Sequence, residues 1–167
     1  ELRRKTLYAL IGALGGILIY IWVRFRLLWG LAAVVALVHD VTITLGVLAF
    51  TQKEFTLPVV AAILTIIGYS LNDTIVVFDR VRENLRIARA RDLIAILNRS
   101  INQNLSRTFL TSLTTLFAVT TLYFFGGEKL GSLSFALIIG VIVGTYSSVF
   151  IASPVLLFWE RVYPRKV

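Results

Sequence analysis

The sequence predicts an all-α membrane protein with five transmembrane helices and one amphipathic helix on the cytoplasmic side. Two observations carry this. Hydrophobic residues make up 57% of the 167-residue chain and charged residues only 16%, against roughly 25% charged in soluble globular domains. The apolar residues also fall in runs long enough to cross a hydrocarbon core of about 30 Å at about 1.5 Å per helical residue. Between the runs lie short polar connectors, so residues 1–167 read as a single membrane domain with no soluble domain of its own.

The first span covers about residues 6–23 and contains Gly12, Gly15 and Gly16, small residues that let helix backbones approach closely. It ends in an interfacial belt of Trp22, Arg24, Arg26 and Trp29. The second span covers about 30–50 and the third 58–78, joined by the polar turn TQKEFTL. Pro58 suits the first turn of the third helix, where a backbone N–H has no helical partner. Past Asp79 the charges multiply and mark the exit from the membrane. Residues 92–105 then place Leu93, Ile94, Leu97, Ile101 and Leu105 on one helical face, which predicts an amphipathic helix lying along the membrane surface. A fourth span covers about 106–125. The fifth, about 133–159, is long enough to tilt, and Pro154 should bend it near its end.

Net charge is +8. In so apolar a chain the basic residues read as topology signals and contacts for anionic lipid headgroups, not as a nucleic-acid surface. One side of the membrane collects Arg24, Arg26, the seven arginines from Arg80 to Arg107, Arg161, Arg165 and Lys166; the other has Arg3, Arg4, Lys5, Lys53 and Lys129. The richer side is expected to be cytoplasmic, together with the C-terminus, and residue 1 to be outside. An external start without a signal-like segment further predicts a missing upstream helix.

Several ionisable groups sit inside the apolar runs. Asp73 lies within the third span; insertion scales put an ionised Asp facing lipid at a helix centre at about 2.5 to 3.5 kcal/mol, so it should face other helices. Such a residue is a candidate proton or ion site, and the plainer alternative is an interhelical hydrogen bond. Tyr69, one turn earlier, shares its face, with Ser70 and Asn72 nearby. Arg107 starts the fourth span ahead of Thr111, Thr114 and Thr115. It is either a snorkelling anchor or a charge partner for Asp73 in the same half of the membrane. His39 and Asp40 lie mid-span in the second run, where Asp40 admits two readings, a relay group or a structural lock. Gly140 and Gly144 form a GxxxG pair, a common pattern in apolar helices. A single histidine and the absence of cysteine argue against a metalloenzyme, and no phosphate loop or Ser-His-Asp pattern is present, so neither enzymatic activity nor a cofactor is expected.

Three stretches, LVHDVTITLG (37–46), GYSLNDTIVVFDRVREN (68–84) and NRSINQNLSRTFLTSLTTL (98–116), closely resemble the SecF family of the bacterial Sec protein-export system. The resemblance covers nearly the whole chain. It implies one half of a resistance-nodulation-division type bundle, completed by six comparable helices from SecD, separate or fused. It also implies a first helix and a periplasmic domain ahead of this region. The implied function is use of the proton gradient to assist preprotein movement after the ATP-driven stage at SecYEG, in the bacterial inner membrane. By motif position Asp73 resembles the family's proton-pathway carboxylate, Arg107 its partner arginine, and Asp40 the acidic residue of its HD motif. His39, Tyr69, Asn72 and Thr111 would be supporting polar groups. The residues alone stop at a proton- or ion-coupled membrane bundle, so a drug or lipid exporter of the same superfamily and a non-transporting membrane scaffold stay open beside this reading.

Overall fold

A computed structural model describes residues 27–87 and 92–162, together with scattered positions between 4 and 23. The described residues contain helices and no strand. Five helices follow in order: α1 (Leu27–Phe50), α2 (Leu57–Ile87), α3 (Leu93–Phe125), α4 (Glu128–Phe150) and α5 (Ala152–Val162). Among the described residues four stretches are long and apolar enough to cross a membrane, namely most of α1, all of α2, all of α3, and α4 with α5 together. The expected first span lies largely outside the described residues, as do Trp22, Arg24, Arg26, Arg89, Arg91, Arg165 and Lys166.

Two boundaries differ from the sequence reading, each for a local reason. The amphipathic stretch and the fourth span are one continuous helix, α3, because nothing between Asp92 and Gly126 is glycine or proline. Asp92 caps its start, accepting hydrogen bonds from the backbone N–H of Ile94 at 3.0 Å and of Ala95 at 3.4 Å. The last expected span is divided into α4 and α5 at Ile151. Pro154 has no N–H to give the Phe150 carbonyl, so the helix breaks there and restarts with Val155 bonding back to Ile151. Pro58 takes the place expected for it in the first turn of α2, and Gly127, at φ 74°, supplies the left-handed residue that turns α3 into α4.

α4 is the centre of the bundle and packs on α1, α2, α3 and α5. Its seam with α2 is made by the glycine pair: Gly140 lies on the side chain of Ile66, and a Cβ at Gly144 would come within 3.2 Å of Ser70 Cβ. Apolar burial between helices gains little when the surroundings are lipid. Close packing of small residues and interhelical hydrogen bonds, worth about 0.6 and up to about 2 kcal/mol each, must hold such a bundle. α3 shows this most plainly. Beyond Ile96 and Leu97 its buried residues are Ser100, Asn104, Thr108 and Ser112, every fourth position and all polar, while Phe109, Phe117, Phe124 and Phe125 are exposed.

Candidate functional site

The inner face of α2 runs through Ile66, Ser70, Asp73, Thr74, Val77 and Phe78, spaced by three and four residues. This spacing carries Asp73 into the bundle, where it is only 5% exposed. Its Oδ2 is buried and has no hydrogen-bond partner among the described residues. A buried carboxylate oxygen without a donor costs free energy that a merely structural residue would have no reason to bear.

α2 and α3 run antiparallel. Tyr69 on α2 donates to Ser112 Oγ at 3.0 Å, and further along α2 the Asn84 amide donates to Ser100 Oγ at 2.8 Å and Gln103 Oε1 at 2.9 Å. One turn past Tyr69, Asp73 is therefore level with Thr108 and its neighbour Arg107. Arg107 is exposed and makes no ion pair with Asp73. The two groups share one level but do not touch. Beside them the hydroxyl chain continues from Ser112 to Thr145 at 2.7 Å and from Thr145 to the Val141 carbonyl at 2.7 Å, tying α2, α3 and α4. Thr108 and Thr145 also line an open groove of about 640 Å³ between α3 and the α4–α5 pair.

Asp40 has the opposite surroundings. It is fully buried, and both Ser70 of α2 and Ser147 of α4 donate to its Oδ2, the latter at 2.7 Å. His39 Nδ1 lies 3.0 Å from its Oδ1, with the His39 side chain 29% exposed. Thr44 donates to the Asp40 carbonyl at 2.8 Å. Asp40 thus joins three helices, and no part of its carboxylate lacks a partner.

Of the supporting residues expected from sequence, Tyr69 and His39 take part in these networks. Asn72 is exposed, and Thr111 is exposed with its hydroxyl on the carbonyls of Arg107 and Thr108 at 3.0 Å each. Neither is brought to Asp73. At the far end of α2, Arg80 and Glu83 form the local ion pair their spacing suggests, at 2.7 Å. The sequence reading gave no role to Ser112, Thr145 or Ser147, and passed over Ser70 as one polar neighbour of Asp73. The available signal was a hydroxyl in the middle of an apolar run. Among the described residues no cluster of His, Asp and Glu is placed to hold a metal ion.

Residues 1–162 match the family described as protein export membrane protein SecD/SecF, C-terminal. The protein translocase subunit SecF of Desulfurispirillum indicum is 57% identical over 166 residues, covering 98% of this chain and 53% of that one. The SecF subunit of Pseudomonas aeruginosa is 52% identical over 158 residues, covering 95% and 52%. The crystal structure of SecDF, a translocon-associated membrane protein from Thermus thermophilus, superposes with a TM-score of 0.91 at 45% identity, covering 96% of this chain and 22% of that one. SecDF in its super-membrane-facing form gives a TM-score of 0.90 at 45% identity, covering 98% and 22%. The chain spans about half the length of the curated relatives it matches. It is a multi-pass membrane protein and belongs to the C-terminal SecD/SecF family of protein export membrane proteins.

Proposed function

We propose that the chain is the membrane-embedded part of a SecF subunit that couples proton movement to preprotein export. It works with SecD, separate or fused, and with the SecYEG channel in the bacterial inner membrane. Its helices form one half of a resistance-nodulation-division type bundle, with a fifth span over residues 6–23, and SecD helices supply the other half. The arginine-rich side faces the cytoplasm, where anionic lipids meet the basic helix ends.

One observation carries this reading, the buried and unpartnered Asp73 Oδ2 level with Arg107. When Asp73 is ionised, Arg107 attracts it across the α2–α3 interface. Once it is protonated, that attraction is lost and the two helices are free to separate. A carboxyl that alternates in this way biases a two-state bundle, and the gradient sets the direction by loading protons from outside and releasing them to the cytoplasm. The polar stripe on α3 and the groove beside it give that helix room to shift.

The test is Asp73→Asn in the full SecF chain assembled with SecD and reconstituted with SecYEG. The substitution removes the titrating proton and nearly keeps the shape. Membrane insertion should be normal, while proton flow and gradient-driven preprotein release should fall at least tenfold. Wild-type values for both would return Asp73 to a structural role.

A further inference from the structure

The two intramembrane aspartates have contrasting surroundings, and the contrast separates their roles. Asp73 has an oxygen with no partner among the described residues, whereas Asp40 receives hydroxyl hydrogen bonds from Ser70 and Ser147 on a single oxygen and faces His39 with the other. Ser70 and Ser147 belong to different helices, and Ser147 Oγ lies closer to the Asp40 carboxylate, at 2.7 Å, than to the Gly144 carbonyl of its own helix, at 3.2 Å. We propose that Asp40 is a positioning residue, not a proton carrier. It fastens α1, α2 and α4 into one unit beside Asp73, with Ser70 and Ser147 as its essential partners. This rests on the proton-coupled reading above only for what the unit positions.

The placement favours that role. Ser70 lies three residues before Asp73, so the anchor holds the turn of α2 that carries the carboxylate. Gly144 against Ser70, and Gly140 against Ile66, set α2 and α4 in the register that lets both serines reach Asp40. α3, which carries Arg107, gives no hydrogen bond to Asp40; beyond the apolar packing of Ile96 and Leu97, its side-chain hydrogen bonds to α2 and α4 are hydroxyl and amide contacts between neutral groups. A fixed α1–α2–α4 unit and an α3 that shifts against it follow from this division. The charged and titratable groups around Asp40 are few. His39 faces it directly, and Asp73 lies along α2. α4 carries no charged residue from Leu130 to Phe150, and Glu160 of α5 is engaged by Trp29 Nε1 at 2.8 Å.

Asparagine can take over the Asp40 contacts. Its carbonyl oxygen can accept from both serines and its amide can donate to His39 Nδ1, since the partly exposed His39 can carry its proton on Nε2. Asp40→Asn, Asp40→Ala, Ser147→Ala and Asp73→Asn are compared in full SecF–SecD complexes, reading proton flow across pH in proteoliposomes and the thermal unfolding midpoint of the solubilised complex. Asp40→Asn should keep proton flow within about twofold, with an unchanged pH profile and midpoint. Asp40→Ala should lower both flow and midpoint. Ser147→Ala, which removes one donor, should lower the midpoint by less and displace the pH profile of flow. A tenfold or greater loss of flow in Asp40→Asn at an unchanged midpoint would make Asp40 a proton carrier and overturn the proposal. So would a wild-type midpoint and flow in Asp40→Ala. If Asp73→Asn conducts normally, the proton reading fails, and the midpoints of the Asp40 and Ser147 variants still decide the anchor.

Discussion

Asp73 and Arg107 stand at one level on antiparallel helices without touching, the carboxylate buried and the guanidinium exposed. A permanent ion pair would hold α3 against α2, whereas a pair that formed only in one protonation state, as the proposed proton cycle requires, would let α3 move. Arg107→Ala removes the attraction in every state, so proton-driven export should fall by an order of magnitude or more while the protein still inserts. Arg107→Lys keeps the charge and loses the planar fork, and should retain part of the activity. Gradient-dependent preprotein release from membrane vesicles separates the two variants. Equal loss in both would mean that geometry matters more than charge.

The α2–α4 seam gives a prediction about stability. A Cβ at Gly140 would overlap the Ile66 side chain, whereas one at Gly144 would meet Ser70 Cβ at 3.2 Å. Gly140→Ala should destabilise the solubilised protein by about 1 to 3 kcal/mol, the usual cost of overpacking a tight contact. Adding Ile66→Ala opens the space and should recover much of that loss, whereas Gly144→Ala alone should cost less. Thermal unfolding in detergent measures all three. A Gly140→Ala protein as stable as wild type would show that Ile66 moves aside freely.

How far the sequence could be read followed from the chemistry of each group. A carboxylate in an apolar run stands out because burying it is costly, so Asp73 and Asp40 were visible at once. A serine or threonine does not stand out, since on a helix it can satisfy itself on the carbonyl one turn back, as Thr42 and Thr65 do here. Ser147, Ser112 and Thr145 look the same in sequence, and only the neighbouring helix shows that they cross-link the bundle. This is also why the sequence leaves both readings of Asp40 open: its hydroxyl partners lie 30 and 107 residues away. The continuity of α3 was missed for another reason. Asn98, Arg99, Asn102 and Gln103 read as the polar face of a surface helix and are exposed, but a second polar stripe, Ser100, Asn104, Thr108 and Ser112, is buried and runs on without a break into the span, with Ser100 bonded to α2 and Ser112 to α2 and α4.

The Tyr69–Ser112–Thr145 chain makes a quantitative prediction. Tyr69→Phe and Ser112→Ala each break the 3.0 Å link between α2 and α3, and Ser112→Ala also breaks the 2.7 Å contact to Thr145. Interhelical hydrogen bonds of this kind contribute about 0.6 and up to about 2 kcal/mol. Because both variants remove the shared bond, their effects should be less than additive in a double-mutant cycle, with Ser112→Ala the costlier single change. Strict additivity would mean that the tyrosine and serine contribute independently.

The last prediction tests the proposed shift of α3 directly. At the far end of α2 the Asn84 amide bridges to Ser100 and Gln103 of α3, at 2.8 and 2.9 Å. These neutral contacts can break and re-form at low cost, so they would permit the shift of α3 that the proposed proton cycle requires. A covalent link at the same place would not allow that. The chain has no cysteine of its own, so the pair Asn84→Cys and Ser100→Cys can be joined selectively by a short, reducible thiol cross-linker. The unlinked double variant should export at close to the wild-type rate, because neither side chain touches Asp73 or Arg107. Cross-linking should stop gradient-driven preprotein release and proton flow together, and reduction should restore both. Loss of both activities on linking, with recovery on reduction, identifies α3 as the moving element. Full activity in the linked protein would mean that α2 and α3 travel as one body, and the motion driven by Asp73 would then have to be sought between this chain and the helices packed against it.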